Sequence, residues 1–292
     1  MQVDLRAGSI YQWPKVMNSA PTILVFDSGL GGLTVFRELA AARPDARFVY
    51  GADDAGFPYG RLAEAELVAR VGLVLDRLID RYRPDAVVIA CNTASTLVLP
   101  SLRSRHGMPF IGTVPAIKPA AKLSVTRHIA VLATPGTVKR DYTQELIRSF
   151  AGDCHVTLVG SSGLAALAEA HLRGEDIDDH AILAEIAPCF AEHAGARVDV
   201  VALACTHYPL LTPRLEALAR WPVTWIDPAP AIARRLLHLL GEAPARHAKA
   251  REAEAVFTGG RGVTATLRAA LARFGLPRVG VEDLPLGRMS GV

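Results

Sequence analysis

The sequence predicts an α/β fold made of two similar parallel-sheet domains in a pseudo-two-fold arrangement, with the active site between them. Three observations carry that prediction. Short apolar, β-rich runs alternate with longer segments of helical period, as βα units around parallel sheets require. The first four runs recur as a second four at offsets of 107, 108, 114 and 113 residues, measured between first residues. In the best-matched segments, Asp85 to Thr93 and Asp199 to His207, an aspartate stands six residues before a cysteine, so each half delivers one cysteine.

The expected strands are, in order, Thr22 to Phe26, Arg47 to Tyr50, Ala86 to Ala90, Phe110 to Gly112, Ile129 to Ala133, His155 to Val159, Val200 to Ala204 and Val223 to Ile226. The helix before the third is the clearest. Leu67, Val68, Val71, Leu75, Leu78, Ile79 and Tyr82 form one stripe at 3.6-residue spacing, with Arg70, Asp76, Arg77 and Asp80 elsewhere. It ends at Arg83-Pro84, because the residue before a proline avoids helical backbone. The repeat divides the chain into a discontinuous first domain, residues 20–114 and 225–292, and a second domain, residues 115–224. The tail after Gly241 carries no readable chemistry and is expected to pack on the first domain.

At 292 residues the chain is long enough for about two cores. Its 50% hydrophobic and 21% charged residues match a folded globular protein and exclude disordered, collagenous and heptad-repeat classes. The formal charge is only +3, with basic residues spread along the chain. That balance asks for neither nucleic acid nor an anionic membrane, and points to a small-molecule partner. No apolar stretch reaches the roughly 18 residues of a membrane span, and Met1 to Ala20 lacks the apolar run of a secretory signal. A cytoplasmic location is expected. Four cysteines without a CxxC pair disfavour both a disulfide scaffold and structural zinc.

Asp27-Ser28-Gly29-Leu30-Gly31-Gly32 follows a strand and opens a helix, so its backbone N–H groups suit an anion such as a carboxylate. It is neither a dinucleotide fingerprint, since Thr34 stands where the last glycine belongs, nor a P-loop. A turn needed only for close strand–helix packing is the alternative. Asp53 to Arg61 lies beyond the second strand, over the carboxyl edge of the sheet. There Tyr59 and Gly60 offer a phenol and a close backbone, or merely a turn with a packed aromatic. Cys91-Asn92-Thr93 and Cys205-Thr206-His207 each end a strand ahead of a helix. In that position the helix dipole and free N–H groups lower a thiol pKa, and the following side chains supply donors. Cys154 and Cys189 read as packing residues, the latter in the apolar helical stretch Ile182 to Phe190. Two thiols facing across a cleft suit inversion of a tetrahedral carbon, in which one group removes a proton from one face and its counterpart returns one to the other.

In order and spacing, DSGLGG (27–32), PYG (58–60), CNTAS (91–95), ATPGT (133–137) and CTHYPLL (205–211) resemble the bacterial glutamate racemases of the cofactor-independent aspartate/glutamate racemase superfamily. The likeness covers about residues 22–240. It implies two like α/β domains enclosing glutamate, with Cys91 and Cys205 as catalytic acid/base thiols. The first takes the α-proton from the D-enantiomer and the second from the L-enantiomer. The resemblance further implies that Asp27 assists Cys91 and His207 assists Cys205. Substrate contacts would come from Asp27, Ser28, Tyr59, Gly60, Asn92, Thr93, Thr137, Thr206 and His207. No cofactor or metal is implied; the expected assembly is a homodimer, and the D-glutamate product enters peptidoglycan. Three places depart from the family pattern. Arg140 stands where a small hydroxyl residue is usual, Gly160-Ser161-Ser162 where a glutamate often follows the sixth strand, and Asp227-Pro228-Ala229 where Asp-Ser-Ala is usual. The alternatives are an aspartate racemase, which shares the mechanism, a non-catalytic amino-acid-binding protein, and a thiol redox protein. The last would need the two cysteine Cα atoms within about 7 Å.

Overall fold

The structure, a computed structural model, describes residues 20–243, 253–260 and 262–284. The segment read as lacking a secretory signal therefore lies, but for Ala20, outside the described residues. The first half of the chain runs β1 (Thr22–Asp27), α1 (Leu33–Ala42), β2 (Arg47–Ala52), α2 (Glu64–Tyr82), β3 (Ala86–Ile89), α3 (Asn92–Arg105) and β4 (Phe110–Gly112). The second runs α4 (Ile117–Leu123), β5 (His128–Ala133), α5 (Pro135–Val138), α6 (Asp141–Phe150), β6 (His155–Gly160), α7 (Leu164–Leu172) and α8 (Asp179–Ile186). A small hairpin, β7 (Glu192–His193) and β8 (Ala196–Arg197), then leads to β9 (Val200–Ala204), α9 (Thr212–Leu218) and β10 (Thr224–Ile226). The tail adds α10 (Ala229–Leu240), β11 (Glu254–Phe257), α11 (Ala265–Arg273) and β12 (Arg278–Val281).

The fold is the α/β class expected from the sequence. One sheet has the order β12-β11-β2-β1-β3-β4 and the other β10-β9-β5-β6. Within them β2-β1-β3-β4 and β6-β5-β9-β10 have the same order, and every pair is parallel. The offsets thus reflect a repeated topology. Each sheet is covered on both faces. Ile23 and Val25 of β1 face one apolar cluster, while Leu24 and Phe26 face the other, as period-2 alternation in a doubly covered sheet demands. The second sheet divides its side chains the same way.

Four features differ from expectation, each for a local reason. The expected domain boundary at residue 225 falls inside β10, which pairs with β9 in the second sheet, so the chain leaves that sheet only after Ile226. Arg70 is drawn to the buried face of α2 because it pairs with Asp53, while Val68 is only half buried. β11 and β12 extend the first sheet beyond β2; at four residues each, with one strand reading Arg-Val-Gly-Val, they lack a periodicity strong enough to read. Finally, the helix expected through Phe190 ends as α8 at Ile186, and Cys189 sits buried on a single 3₁₀ turn containing Pro188. α2 itself stops as expected: Arg83 adopts a left-handed φ of 46° and returns its N–H to Ile79 O just before Pro84.

Candidate active site

The carboxyl ends of β1 and β3 face those of β5 and β9, and a set of hydrogen bonds joins them across the domain boundary. Asp27, at the end of β1, is fully buried. Its Oδ1 accepts the Gly29 N–H at 2.8 Å, and its Oδ2 accepts the Thr206 hydroxyl of the second domain at 2.9 Å. Thr206 returns the contact, its carbonyl accepting the Thr34 hydroxyl at 3.3 Å. On the far side Thr93 Oγ1 lies 3.1 Å from Thr134 Oγ1, which lies 3.0 Å from Thr137 Oγ1.

Cys91 caps α3 in an extended conformation and is 5% exposed. Its Sγ lies 3.8 Å from the Ser28 hydroxyl, which in turn lies 3.4 Å from Asp27 Oδ1. Asp27 therefore reaches Cys91 through Ser28. Burial, and then the charge of Asp27, push the Cys91 thiol up to about 12, while the Ala94 N–H at the start of α3 pulls the other way. Helix assistance is present but does not prevail over desolvation.

Cys205 is 6% exposed, and the chain after it enters a 3₁₀ turn, Tyr208–Leu211, before α9. Pro209 has no N–H to offer, so this thiol lacks the helix N-terminus the sequence led us to expect. A histidine stands there instead: His207 Nδ1 lies 3.8 Å from Cys205 Sγ. His207 Nε2 is 2.8 Å from Glu169 Oε1 and 3.2 Å from Gly31 N. The carboxylate is the stronger partner, which fixes a proton on Nε2 and turns Nδ1 to the thiol. Burial alone would lower the imidazole pKa, but hydrogen bonds to Cys205 and Glu169 outweigh it and hold His207 well above its usual value. Glu169 is held below the usual carboxylate range. Its burial penalty is overcome by the hydrogen bond and charge of His207, the Leu30 N–H and Arg173.

Glu169, on α7, was not expected. The family pattern places a glutamate soon after β6, where Gly160-Ser161-Ser162 stand, whereas this carboxylate lies further on, inside α7. The glycine loop turns its backbone donors toward Glu169. Leu30 N–H donates to Glu169 Oε1 at 2.5 Å, so the carboxylate received by those backbone donors belongs to the facing domain. A Cβ on Gly31 would stand 2.4 Å from His207 Nδ1, and one on Gly29 would stand 2.3 Å from Glu169 Oε1. Glycine is required for close approach of the two domains, and for Gly32 additionally of α1 against Asp27.

The loop over the site is pinned by a buried network. Asp53 accepts from the Tyr59 hydroxyl at 2.5 Å, from Arg70 and from the Thr258 hydroxyl at 2.6 Å. The Tyr59 phenol is thus committed to Asp53, leaving the backbone at Tyr59 and Gly60 for a ligand, with Gly60 opposite Thr134. Asn92, 2% exposed, accepts the Thr113 hydroxyl at 3.4 Å, but its Nδ2 has no partner. A buried donor in that state is poised for a group that arrives from outside. Among the described residues no group of three or more His, Cys, Asp or Glu stands together as a metal site. A groove of about 340 Å³ opens at the interdomain crossings beside Thr113, Lys118, Phe150, Asp227 and Arg235. It contains neither thiol, so this groove and the thiol pair are in different places. No helix among the described residues is long and apolar enough to cross a membrane.

Known proteins resemble this arrangement over most of its length. The curated glutamate racemase of Brucella canis is 58% identical over 241 residues, 82% of this chain and 86% of that one. The crystal structure of Escherichia coli glutamate racemase in complex with L-glutamate and the activator UDP-MurNAc-Ala superposes with a TM-score of 0.82 at 40% identity, covering 90% of this chain and 98% of that one. A glutamate racemase isoform from Bacillus anthracis gives a TM-score of 0.73 at 25% identity, covering 92% and 98%. The profile of the Asp/Glu/hydantoin racemase family matches residues 33–236, and the chain belongs to that family.

Proposed function

We propose that this chain interconverts L- and D-glutamate without a cofactor, by proton transfer between two thiols. The observation that carries the proposal is the pair Cys91 and Cys205. Both are buried on topologically equivalent strand ends across one cleft, and each has its own proton partner. With L-glutamate bound, the Cys205 thiolate takes the α-proton, and the C–H electron pair remains on the α-carbon. Cys91 then delivers its proton to the opposite face and is left as the thiolate. The D-enantiomer reverses the roles.

The difficulty is the weak acidity of an α-proton beside a carboxylate. Donors in a water-poor cleft offset it by stabilising charge as it develops. Asn92 Nδ2, the Thr93, Thr137 and Thr206 hydroxyls, Ser28 and the Tyr59-Gly60 backbone are the donors we assign to the substrate carboxylates. A Cys91 thiol held near 12 stays protonated, ready to act as the acid toward L-glutamate but scarce as the thiolate that D-glutamate requires. The substrate's α-ammonium, set beside Asp27, supplies the positive charge that burial withholds. His207 receives and returns the proton of Cys205. The family resemblance supports a homodimer working in the cytoplasm and supplying D-glutamate for peptidoglycan.

The test is purified protein with L-glutamate in D2O and no added cofactor, followed by chiral separation and by the α-proton NMR signal. D-glutamate carrying deuterium supports the two-thiol route. Reaction of aspartate alone would keep the mechanism and change the substrate, and no exchange with either would overturn the proposal.

A further inference from the structure

Glu169 uses one carboxylate oxygen on Leu30 and His207. The other, Oε2, faces Arg173 one turn further along α7, where Nη2 lies 3.3 Å away. Taken alone this is an ordinary i,i+4 helix pair, worth little where exposed. Two facts set it apart. The Glu169 side chain is only 9% exposed and that of Arg173 22%. Arg173 Nη1 also donates to Gly262 O at 2.6 Å. Gly262 lies between β11 and α11 of the first sheet's unit, and Arg173 lies in the second domain. An unbroken path therefore runs from the first domain's tail through Arg173, Glu169 and His207 to Cys205. Gly262 is fitted to this contact, since a Cβ there would stand 2.4 Å from Arg173 Nη1 and 3.0 Å from its Cζ.

We infer that Arg173 is a positioning residue for the Cys205 half of the site: clamped on Gly262 O when the domains are together, it keeps Glu169 ionised and turned onto His207. The inference rests on the two-thiol reading above. The groups facing Glu169 are few. His207 comes from the loop after β9, Arg173 from α7 itself, and Asp27 and Tyr50 from the first sheet, where the Glu169 charge acts on both. Arg173 is the guanidinium among them, and its Nη2 faces Glu169 Oε2. Without it, burial, which acts to raise the Glu169 pKa, is opposed by His207 and the Leu30 N–H without the guanidinium, and proton uptake by Glu169 releases His207.

The experiment is the pH profile of kcat/KM for L-glutamate, which reports groups of the free enzyme, for wild type, Arg173→Met, Arg173→Lys and Gly262→Ala. Removing a cation from a mostly buried carboxylate should move the acid limb upward by about one unit. The methionine variant should then lose about tenfold in kcat/KM on that limb and little on the plateau. Lysine should restore the wild-type limb. Gly262→Ala should shift the limb as methionine does, because its Cβ displaces the guanidinium while residue 173 stays arginine. An unmoved limb in Arg173→Met overturns the inference. So does a loss that is uniform across pH, accompanies a lower melting temperature and is not rescued by lysine, for that marks a purely structural arginine. A normal profile in Gly262→Ala beside a shifted one in Arg173→Met removes the clamp. If wild type itself racemises neither glutamate nor aspartate, the fault lies in the two-thiol reading and not in Arg173.

Discussion

Asn92 offers a prediction in which stability and function move in opposite directions. Its Nδ2 is buried without a partner, and its Oδ1 holds only the 3.4 Å contact with Thr113. A buried, unmade hydrogen bond costs about 1–3 kcal/mol, and so long a contact returns about 0.5 kcal/mol. Replacing the side chain by alanine removes both, and alanine suits the first position of α3 at least as well. The free protein should therefore gain about 0.5–2.5 kcal/mol, a rise of about 1–4 °C in melting temperature for a chain of this size. Substrate binding should suffer. If Nδ2 donates to a glutamate carboxylate, Asn92→Ala loses a charge-assisted bond of about 1.5–3 kcal/mol, or roughly 10–150-fold in affinity. Thermal unfolding without ligand and calorimetric titration with glutamate read the two quantities separately. A melting temperature lowered by several degrees with unchanged glutamate affinity would refute the reasoning and make Asn92 a structural residue.

Three further perturbations test other parts of the site. Cys91→Ser or Cys205→Ser should abolish racemisation while leaving the melting temperature within a few degrees of wild type; either variant retaining near wild-type turnover contradicts the two-thiol route. Glu169→Gln should lower the His207 pKa by removing its carboxylate partner, measurable by ¹⁵N NMR of the imidazole. Because Glu169 is held below its ordinary 4.5, the stability it lends is present above pH 4.5 and vanishes as pH falls through its lowered value. Glutamine should flatten that part of an acid-unfolding curve, and an unchanged curve would count against the ion pair. Arg70→Met leaves Asp53 buried without its cation. Loss of one partner of a buried pair costs about 3–5 kcal/mol, to be read from urea unfolding, and a loss below about 1 kcal/mol would show that Tyr59 and Thr258 suffice.

The eight strands that build the two repeated sheets were legible because each is a compact apolar run bounded by polar or glycine-rich turns, and their boundaries lie within two residues of those observed. The repeat was legible for the same reason. Charged residues whose burial depends on a distant partner were not. Arg70 looks like a solvated helix position until Asp53, seventeen residues earlier, is known to face it. Glu169 sits in Ala-Leu-Ala-Glu-Ala-His-Leu, where nothing local distinguishes it from a surface glutamate, and its meaning comes from Leu30 and His207 across the domain boundary. Tyr59 shows the converse. Its place over the cleft was readable, but Asp53 takes its hydroxyl.

The repeated backbone does not bring a repeated electrostatic environment, and the difference has a physical cause. α3 begins immediately after Cys91 and turns the Ala94 N–H toward its sulfur. The equivalent place after Cys205 is a 3₁₀ turn with a proline, which has fewer backbone donors to give. An imidazole held by a carboxylate from α7 compensates there, while on the other side a hydroxyl and the Asp27 carboxylate stand beside the thiol. A substrate with four different groups on its α-carbon can never present the same face to both thiols, so a symmetric cleft would bind neither enantiomer well. Two enantiomers have equal free energy in water, which forces kcat/KM to be equal in the two directions whatever the site looks like. Asymmetry between the Cys91 and Cys205 surroundings can therefore appear only as paired changes in kcat and KM. Glu169→Gln, which acts on the Cys205 side alone, should change kcat and KM unequally for L- and D-glutamate while the two kcat/KM values fall together.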